Sequence, residues 1–461
     1  MGAPRFIRHP VALRPGVLAA LAAAYPDRYP VVLDSAANGP LAQFSLLAAN
    51  VRGSLVKHAD GQLQTGGDQP PPTSILKGGF LDSLRAWMTL ESQPALPEAG
   101  TPFHGGWFVY LGYEMASEVE ARLVLPQGDL PQAFALRVPM AVIEQSDGQA
   151  FIICEPDVTE VQLAQLRDDL AQVPLPTSSP LEITGVFEEA PERYERRVRR
   201  AQDYIRAGDV YQANLSRPWR FELAEGTTAG QVYERLRIAN PAPFAALAQY
   251  AGVHLLSSSP ERLVRITGSR LDTRPIAGTH RRGATPAEDR ELAAQLIAHP
   301  KERAEHVMLI DLERNDLGRV CEAGSVQVDE YMAVETYAHV HHIVSNVTGQ
   351  LRKDKDAIDV LRAVFPGGTI TGCPKLRCME IIAELEAEAR GAYTGSLGYL
   401  NRDGSGDFNI LIRTMTLHGR EIRFRAGAGI VADSDPTREL HETRAKARGM
   451  LLALGQRGET P

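Results

Sequence analysis

Three regularly spaced side chains near the C-terminus could form part of a metal site. Glu439, Glu442 and Lys446 stand at positions i, i+3 and i+7 of a predicted helix, which places them on one helical face. Glu305, in a second predicted helix, could add another carboxylate. A few carboxylates completed by substrate oxygens and water are the usual way in which proteins hold Mg²⁺. The alternative is a solvated helix face with an ion pair between Glu442 and Lys446.

Two glycine-rich segments approach nucleotide-binding motifs, but each lacks an essential feature. The segment 427–432 follows a predicted strand, yet Asp433 and Asp435 stand where a phosphate-binding helix should begin and would repel a pyrophosphate. The segment 367–372 is followed by Cys373 instead of the Lys and Ser or Thr of a P-loop. We therefore expect neither a dinucleotide site nor nucleotide hydrolysis. The backbone N–H groups of the glycines could still meet another anion.

The composition is that of a large globular protein. Of 461 residues, 44% are hydrophobic and 23% charged, and the net charge of −8 argues against a nucleic-acid surface spread over the fold. The apolar run at 17–25 is far shorter than the roughly 20 residues that span a bilayer, and it predicts a surface helix. Four irregularly spaced cysteines predict neither a disulfide framework nor a zinc site. We expect a cytoplasmic protein with no membrane or nucleic-acid partner.

The elements that must position the chemical groups are predicted to be hairpins and long helices. Hairpin turns are expected at 146–148, at 268–269 and at 419–420, the last between strands 408–417 and 421–424. Helices are expected at 191–207, at 286–298 after an N-cap at Thr285, at 301–312, and at 436–454 after Asp435. A proline-rich stretch at 173–180 predicts an N-terminal part, 1–180, and a catalytic region, 181–461. This pattern indicates an α+β fold in layers.

Four sequence blocks, taken together, resemble the chorismate-utilising enzymes. They are Pro-Ile-Ala-Gly-Thr at 275–279 and the segments 311–319, 365–375 and 429–436. The family comprises anthranilate synthase component I, aminodeoxychorismate synthase component I, and the isochorismate and salicylate synthases. The resemblance is strong over 190–455 and weaker in the N-terminal part. It implies the fold of anthranilate synthase component I, two packed antiparallel β-sheets flanked by helices, and chorismate bound with Mg²⁺.

The resemblance also implies roles for individual residues. Glu305 and Glu442 match the Mg²⁺ ligands, with Glu439 close by and acting through water. Glu261 matches the general acid beside the C4 hydroxyl of chorismate, and its burial should raise its pKa. His342 matches the family's active-site histidine, whereas His341 should face the other side of its strand. The remaining matched positions are substrate-binding: Thr279, Thr369, Tyr393, Arg413, Gly427, Gly429 and Lys446.

Two further positions bear on the choice of reaction. Isochorismate and salicylate synthases activate water with a lysine where this chain has Gln212, which resembles the ammonia-using branch. No cysteine lies in a Gly-x-Cys-x-Gly elbow, so ammonia would come from a separate glutamine amidotransferase subunit or from solution. Ala277 stands where aminodeoxychorismate synthases often carry a nucleophilic lysine and anthranilate synthases carry alanine.

The motifs therefore favour one hypothesis and leave a second open. The segments 211–215, 367–368, 395–396 and 407–410 look more like aminodeoxychorismate synthase than anthranilate synthase. Because Ala277 cannot form the lysine adduct, a first ammonia would add at C2 and a second at C4. Anthranilate synthase is the alternative, although Val-Leu-Asp-Ser at 32–35 departs from the segment associated with tryptophan feedback. Other chorismate chemistry and a catalytically silent binding subunit are the remaining alternatives.

Overall fold

The computed structural model describes residues 6–37, 41, 43–94, 101–176, 180–336 and 340–456, without the side chains of residues 279, 280, 301 and 340. Its strands in chain order are β1 (Ile7–Pro10), β2 (Val31–Asp34), β3 (Phe44–Ala49), β4 (Gly53–Lys57), β5 (Leu63–Gly66), β6 (Gly106–Leu111), β7 (Ala133–Val138), β8 (Met140–Gln145), β9 (Ala150–Cys154), β10 (Ile183–Glu188), β11 (Gln212–Leu223), β12 (Phe244–Tyr250), β13 (Val253–Ser259), β14 (Arg262–Thr267), β15 (Arg270–Thr273), β16 (Ile276–Arg281), β17 (Gln327–Thr336), β18 (Val340–Gln350), β19 (Gly372–Cys373), β20 (Ser396–Asn401), β21 (Gly406–Asn409), β22 (Thr414–His418) and β23 (Glu421–Ile430).

The α-helices in chain order are α1 (Val17–Ala24), α2 (Phe80–Leu90), α3 (Ala116–Val119), α4 (Glu160–Gln172), α5 (Pro191–Arg206), α6 (Ala229–Ala239), α7 (Pro286–Ala298), α8 (Pro300–Gly318), α9 (Ala357–Val364), α10 (Lys375–Glu386) and α11 (Pro436–Ala453). Short 3₁₀ turns cover Thr73–Ile75, Tyr113–Met115 and Gly368–Ile370. Among the described residues, no helix is long and apolar enough to cross a membrane.

Two antiparallel sheets form the centre of the fold. A 12-stranded sheet has the order β1-β9-β8-β3-β2-β12-β13-β22-β23-β11-β10, with β19 also paired to β11. An 11-stranded sheet has the order β16-β18-β15-β14-β21-β20-β6-β7-β4-β5, with β17 also paired to β18. Strands from both sides of residue 180 lie in each sheet, so the two sequence parts build one body. The proposed linker at 173–180 lies partly outside the described residues.

Apolar side chains fall into layers. One cluster contains side chains of both sheets, such as Val31 and Leu255 from the first and Phe108 from the second, and fills the space between them. A second cluster joins the outer face of the 12-stranded sheet to α1, α4, α6 and α11. A third joins the 11-stranded sheet to α2, α8, α9 and α10. The predicted α+β fold of two packed antiparallel sheets flanked by helices is confirmed.

Local signals in the sequence explain most element boundaries. Helix α7 begins after Thr285, whose hydroxyl accepts a hydrogen bond from the Glu288 N–H at 3.2 Å, and α11 begins after Asp435, which accepts from Arg438 at 2.9 Å. The expected helix at 301–312 is longer and occupies Pro300–Gly318.

The expected strand 408–417 is wrong as a single element. It is divided into β21 and β22, which belong to different sheets, and the chain crosses between the sheets near Arg413 at a left-handed φ of 51°. The apolar pattern of residues 408–417 continues through the bend at Arg413, so the sequence pattern alone does not reveal the division.

Candidate active site

The predicted site residues come from both sheets and two helices. Strands β11 and β23 of the 12-stranded sheet carry Gln212 and the glycines Gly427 and Gly429. Strands β16 and β18 of the 11-stranded sheet carry Ala277 and His342. Helices α8 and α11 carry the carboxylates, and the loop 365–374 and the crossing near residue 413 complete the set. The sheet pairing brings together residues more than 200 positions apart in the sequence, as in the register of Asn214 opposite Gly429.

Glu261 has the environment of a general acid. Its side chain follows β13, is only 5% exposed, and accepts a hydrogen bond of 2.8 Å from the hydroxyl of Thr369. Burial raises the pKa of Glu261 to about 7, against the opposing effects of the Thr369 hydrogen bond and of Arg413 and Lys446. The carboxyl group is therefore protonated in a substantial fraction of molecules near neutral pH and can donate a proton.

Arg413 lies near this acid, and His342 lies near Arg413. His342 is buried, and burial together with the positive charge of Arg413 lowers its pKa to about 4, so the imidazole is neutral. The Arg413 guanidinium is close enough to Glu261 for the two charges to interact, and its planar fork of N–H donors suits a carboxylate. His341 points away and bonds Asp289 at 2.8 Å and Thr336 at 2.9 Å, as the strand alternation predicts.

The two glycines of β23 leave room for polar groups. A Cβ on Gly429 would lie 2.1 Å from the amide nitrogen of Gln212. A Cβ on Gly427 would lie 2.6 Å from the Tyr393 hydroxyl and 2.8 Å from the Asn214 Oδ1 atom. The Lys446 ammonium donates to the Gly427 carbonyl at 3.0 Å. Any larger residue at these two positions would therefore displace the site's own side chains.

The proposed metal ligands are oxygen donors, but they are not assembled into a cage. Glu442 is half-exposed and pairs with Lys446 at 2.7 Å, as the alternative sequence interpretation expects, whereas Glu439 is buried. Desolvation of the Lys446 amine lowers its pKa, but the negative charges of Glu442 and, to a smaller extent, Glu305 raise it, and the net pKa is raised. Both carboxylates therefore lie near this ammonium. Within the described ranges, no three His, Cys, Asp or Glu side chains are grouped for a metal. The donor chemistry fits Mg²⁺, which needs few protein ligands.

Ala277 lies in an apolar environment. It is buried in a small cluster with Leu309 and Leu312, against which Met308 and Cys373 pack. None of these side chains carries an amine that could act as a nucleophile. The side chain of Thr279, predicted to bind substrate, lies outside the described residues.

Three residues of the site were missed by the sequence analysis. Asn214 stands two positions after Gln212 and therefore on the same face of β11, a strand alternation that could have revealed it. Glu302 has its Oε2 atom 3.0 Å from where a Cβ on Gly278 would lie. Glu313 is buried beneath Gly368 and lies within the block 311–319 that carries the family resemblance. Thr369, expected to bind substrate, donates a hydrogen bond to the proposed acid.

Comparison with known proteins identifies the family of the chain. A family model described as chorismate binding enzyme matches residues 42–452. The chain is 44% identical over 357 residues to an anthranilate synthase component I-like protein of Synechocystis sp., covering 77% of this chain and 73% of that one. It is 40% identical over 452 residues to aminodeoxychorismate synthase component 1 of Bacillus subtilis, covering 93% and 92%.

A solved structure shows the same fold. Anthranilate synthase component I from Streptococcus pneumoniae matches with a TM-score of 0.76 and 33% identity, over 89% of this chain and 92% of that one. The chain belongs to the chorismate-binding enzyme family, as its motifs predicted. Its relatives bear the names of both ammonia-using synthases, and these names do not decide between C2 and C4 amination.

Proposed function

We propose that the chain is an aminodeoxychorismate synthase component I, which converts chorismate and ammonia to 4-amino-4-deoxychorismate for p-aminobenzoate and folate synthesis. The observation that carries the proposal is Gln212, a buried amide at the position of the water-activating lysine of isochorismate and salicylate synthases. An amide cannot deprotonate water, but ammonia needs only orientation because its lone pair is already nucleophilic. The similarity to the Bacillus subtilis protein over almost the full length of both chains supports amination at C4.

Glu261 would supply the proton that the reaction needs. Chorismate loses its C4 hydroxyl, a poor leaving group, which departs as water once Glu261 has protonated it. Ammonia adds at C2 as both conjugated double bonds of the ring shift, and the resulting ammonium group returns a proton to the Glu261 carboxylate. A second ammonia adds at C4 as both double bonds shift back, and the C2 amine, protonated by Glu261, leaves as ammonia. The new ammonium group at C4 then returns a proton to Glu261. The balance is one ammonia consumed and one water released.

This route requires no covalent enzyme adduct. A lysine at position 277 would attack C2 itself, but Ala277 and its apolar neighbours provide no such group. The first ammonia takes the place of that lysine. Both displacements use the same acid, so a single catalytic group serves two steps.

The substrate's negative charges call for cationic groups. Arg413 with Tyr393 would hold the enolpyruvyl carboxylate, and Lys446 would lie near the ring carboxylate. Glu305 and Glu442, with Glu439 acting through water, would hold Mg²⁺, which when bound neutralises carboxylate charge. We propose that a glutamine amidotransferase subunit supplies the ammonia.

Anthranilate synthase component I is the second candidate. Ala277 is typical of that enzyme, and the relatives from Synechocystis and Streptococcus pneumoniae carry its name. In that case ammonia would add only at C2, and pyruvate would be eliminated to give the aromatic ring.

A coupled assay separates the two candidates. Purified protein is incubated with chorismate, Mg²⁺ and an ammonium salt at mildly alkaline pH, with and without a lyase that removes pyruvate from 4-amino-4-deoxychorismate. We expect p-aminobenzoate only when the lyase is present. Fluorescent anthranilate formed without the lyase would refute the proposal. Omission of Mg²⁺ with added chelator should abolish turnover in either case.

A further inference from the structure

Two neighbouring amides in the site have oxygen atoms that accept no hydrogen bond from the residues that the structure describes. Gln212 is 3% exposed and Asn214 is 8% exposed. The Gln212 Oε1 and Asn214 Oδ1 atoms are buried and accept no hydrogen bond from any described residue. An unpaired buried carbonyl oxygen destabilises a fold, and most such oxygens in proteins are hydrogen-bonded, so two of them on one strand face indicate a ligand.

The positions of these amides indicate one common site. Residues 212 and 214 project from the same face of β11 because strand side chains alternate. The Gln212 amide covers Gly429, and the Asn214 Oδ1 atom approaches Gly427 beside the Tyr393 hydroxyl. Both amides therefore lie over the glycine-lined part of β23.

The neighbouring charges limit what can bind there. Arg413 and Lys446 are both close enough to Glu261 to lower its pKa, so the site already contains two cations that suit substrate carboxylates. An ammonium ion would be repelled by these cations, whereas neutral ammonia would not. Carbonyl oxygens are acceptors, and ammonia presents N–H donors to them.

We propose that Asn214 and Gln212 together form the binding site for neutral ammonia. Each amide oxygen accepts one N–H of the ammonia molecule, and the nitrogen lone pair is left to attack the ring. This inference rests on the proposed use of ammonia and adds Asn214 as a group that touches the nucleophile. It does not depend on which ring carbon is aminated.

The test is the ammonia dependence of the variant Asn214→Leu, which keeps the branched shape of the side chain, although it is larger, and removes the acceptor. At a fixed pH and saturating chorismate, we expect the KM for ammonia to rise roughly tenfold, as for the loss of one hydrogen bond. The KM for chorismate should stay within about twofold of wild type, because its cationic partners remain. Asn214→Ser, which is smaller and still polar, provides a second variant with an expected intermediate KM for ammonia.

Stability separates a binding role from a structural one. Removing an unpartnered buried amide should leave Tm unchanged or raise it by about a few degrees. The matched control is Asn401→Leu, because Asn401 is also buried but bonds Pro102 and Ser405 at 2.9 and 3.0 Å. That control should lower Tm and leave the KM for ammonia unchanged.

The outcomes are distinguishable from failure of the proposed function. A KM for ammonia that is unchanged in Asn214→Leu, or a rise in the KM for chorismate alone, would overturn the ammonia site. Conversion of chorismate to isochorismate without incorporated nitrogen would overturn both proposals. Anthranilate as the wild-type product would refute C4 amination and, with the expected shift in KM for ammonia, support the ammonia site.

Discussion

The raised pKa of Glu261 predicts that replacing it with glutamine stabilises the protein at alkaline pH. The pKa of this group is about 7 in the folded chain, against an ordinary value of 4.5 for a glutamate side chain. Between these two values the folded state binds more protons than the unfolded state, so the free energy of unfolding falls as pH rises through this window. Glu261→Gln keeps the shape and the acceptor for Thr369 but has no proton to lose.

The size of the effect follows from the two pKa values. The folded and unfolded pKa values of Glu261 differ by about 2.5, which corresponds to about 3 kcal/mol of unfolding free energy. This figure is an upper limit because neighbouring groups adjust when Glu261 ionises. Near pH 4 the variant and the wild type should therefore have similar free energies of unfolding. By pH 8 the variant should gain up to about 3 kcal/mol relative to wild type.

Urea unfolding of the two proteins at pH steps from 4 to 8, without substrate or metal, measures this difference directly. The difference between the two curves isolates Glu261, because all other titrating groups are shared. A constant difference across the range would mean that the Glu261 pKa is ordinary, and the assignment of a protonated acid at neutral pH would then be wrong. A variant that is stabilised relative to wild type at low pH instead of at high pH would contradict the predicted direction of the effect.

Three further predictions concern a buried ion pair, formed by Glu386 and Arg390, and two residues of the site. Glu386→Gln should lower the free energy of unfolding at pH 7 by about 3–5 kcal/mol. Arg390 and its neighbours hold the Glu386 pKa at about 2, and the substitution would leave these cations without a counter-charge. A loss under about 1 kcal/mol in urea titrations would contradict this prediction. Gly429→Ala should raise the KM for ammonia at least about tenfold, because the new methyl would displace the Gln212 amide; steady-state kinetics with unchanged values would count against the placement of that amide. Arg413→Lys should raise the KM for chorismate about tenfold through loss of the bidentate contact, and an unaffected KM would remove Arg413 from the carboxylate site.

Much of the fold could be predicted because its signals are local. The turns at 146–148 and 268–269 contain glycine between strand-like runs, and Thr285 and Asp435 are N-caps followed by proline. The failed strand at 408–417 shows the limit of such patterns. Its apolar residues continue through the crossing between sheets, and the left-handed bend at Arg413 depends on contacts with two different sheets.

The site itself was predicted mainly through resemblance, because its residues meet by long-range pairing. Nothing near Glu261 in the sequence indicates that Thr369 donates to it, since the two are separated by 108 positions. The burial that raises the pKa of Glu261 is likewise a property of the packed sheets. Asn214 was within reach of strand alternation, but its missing hydrogen-bond partners could be known only from the structure.

We propose above all that ammonia is attached to C4 of the chorismate ring. The most direct measurement is NMR of the product formed from chorismate and ¹⁵N-labelled ammonium, with Mg²⁺ and without lyase. We predict a product that retains the enolpyruvyl group and has ¹⁵N coupled to the C4 position, with 2-amino-2-deoxyisochorismate seen transiently. Labelled anthranilate, or label only at C2 at completion, would contradict the account.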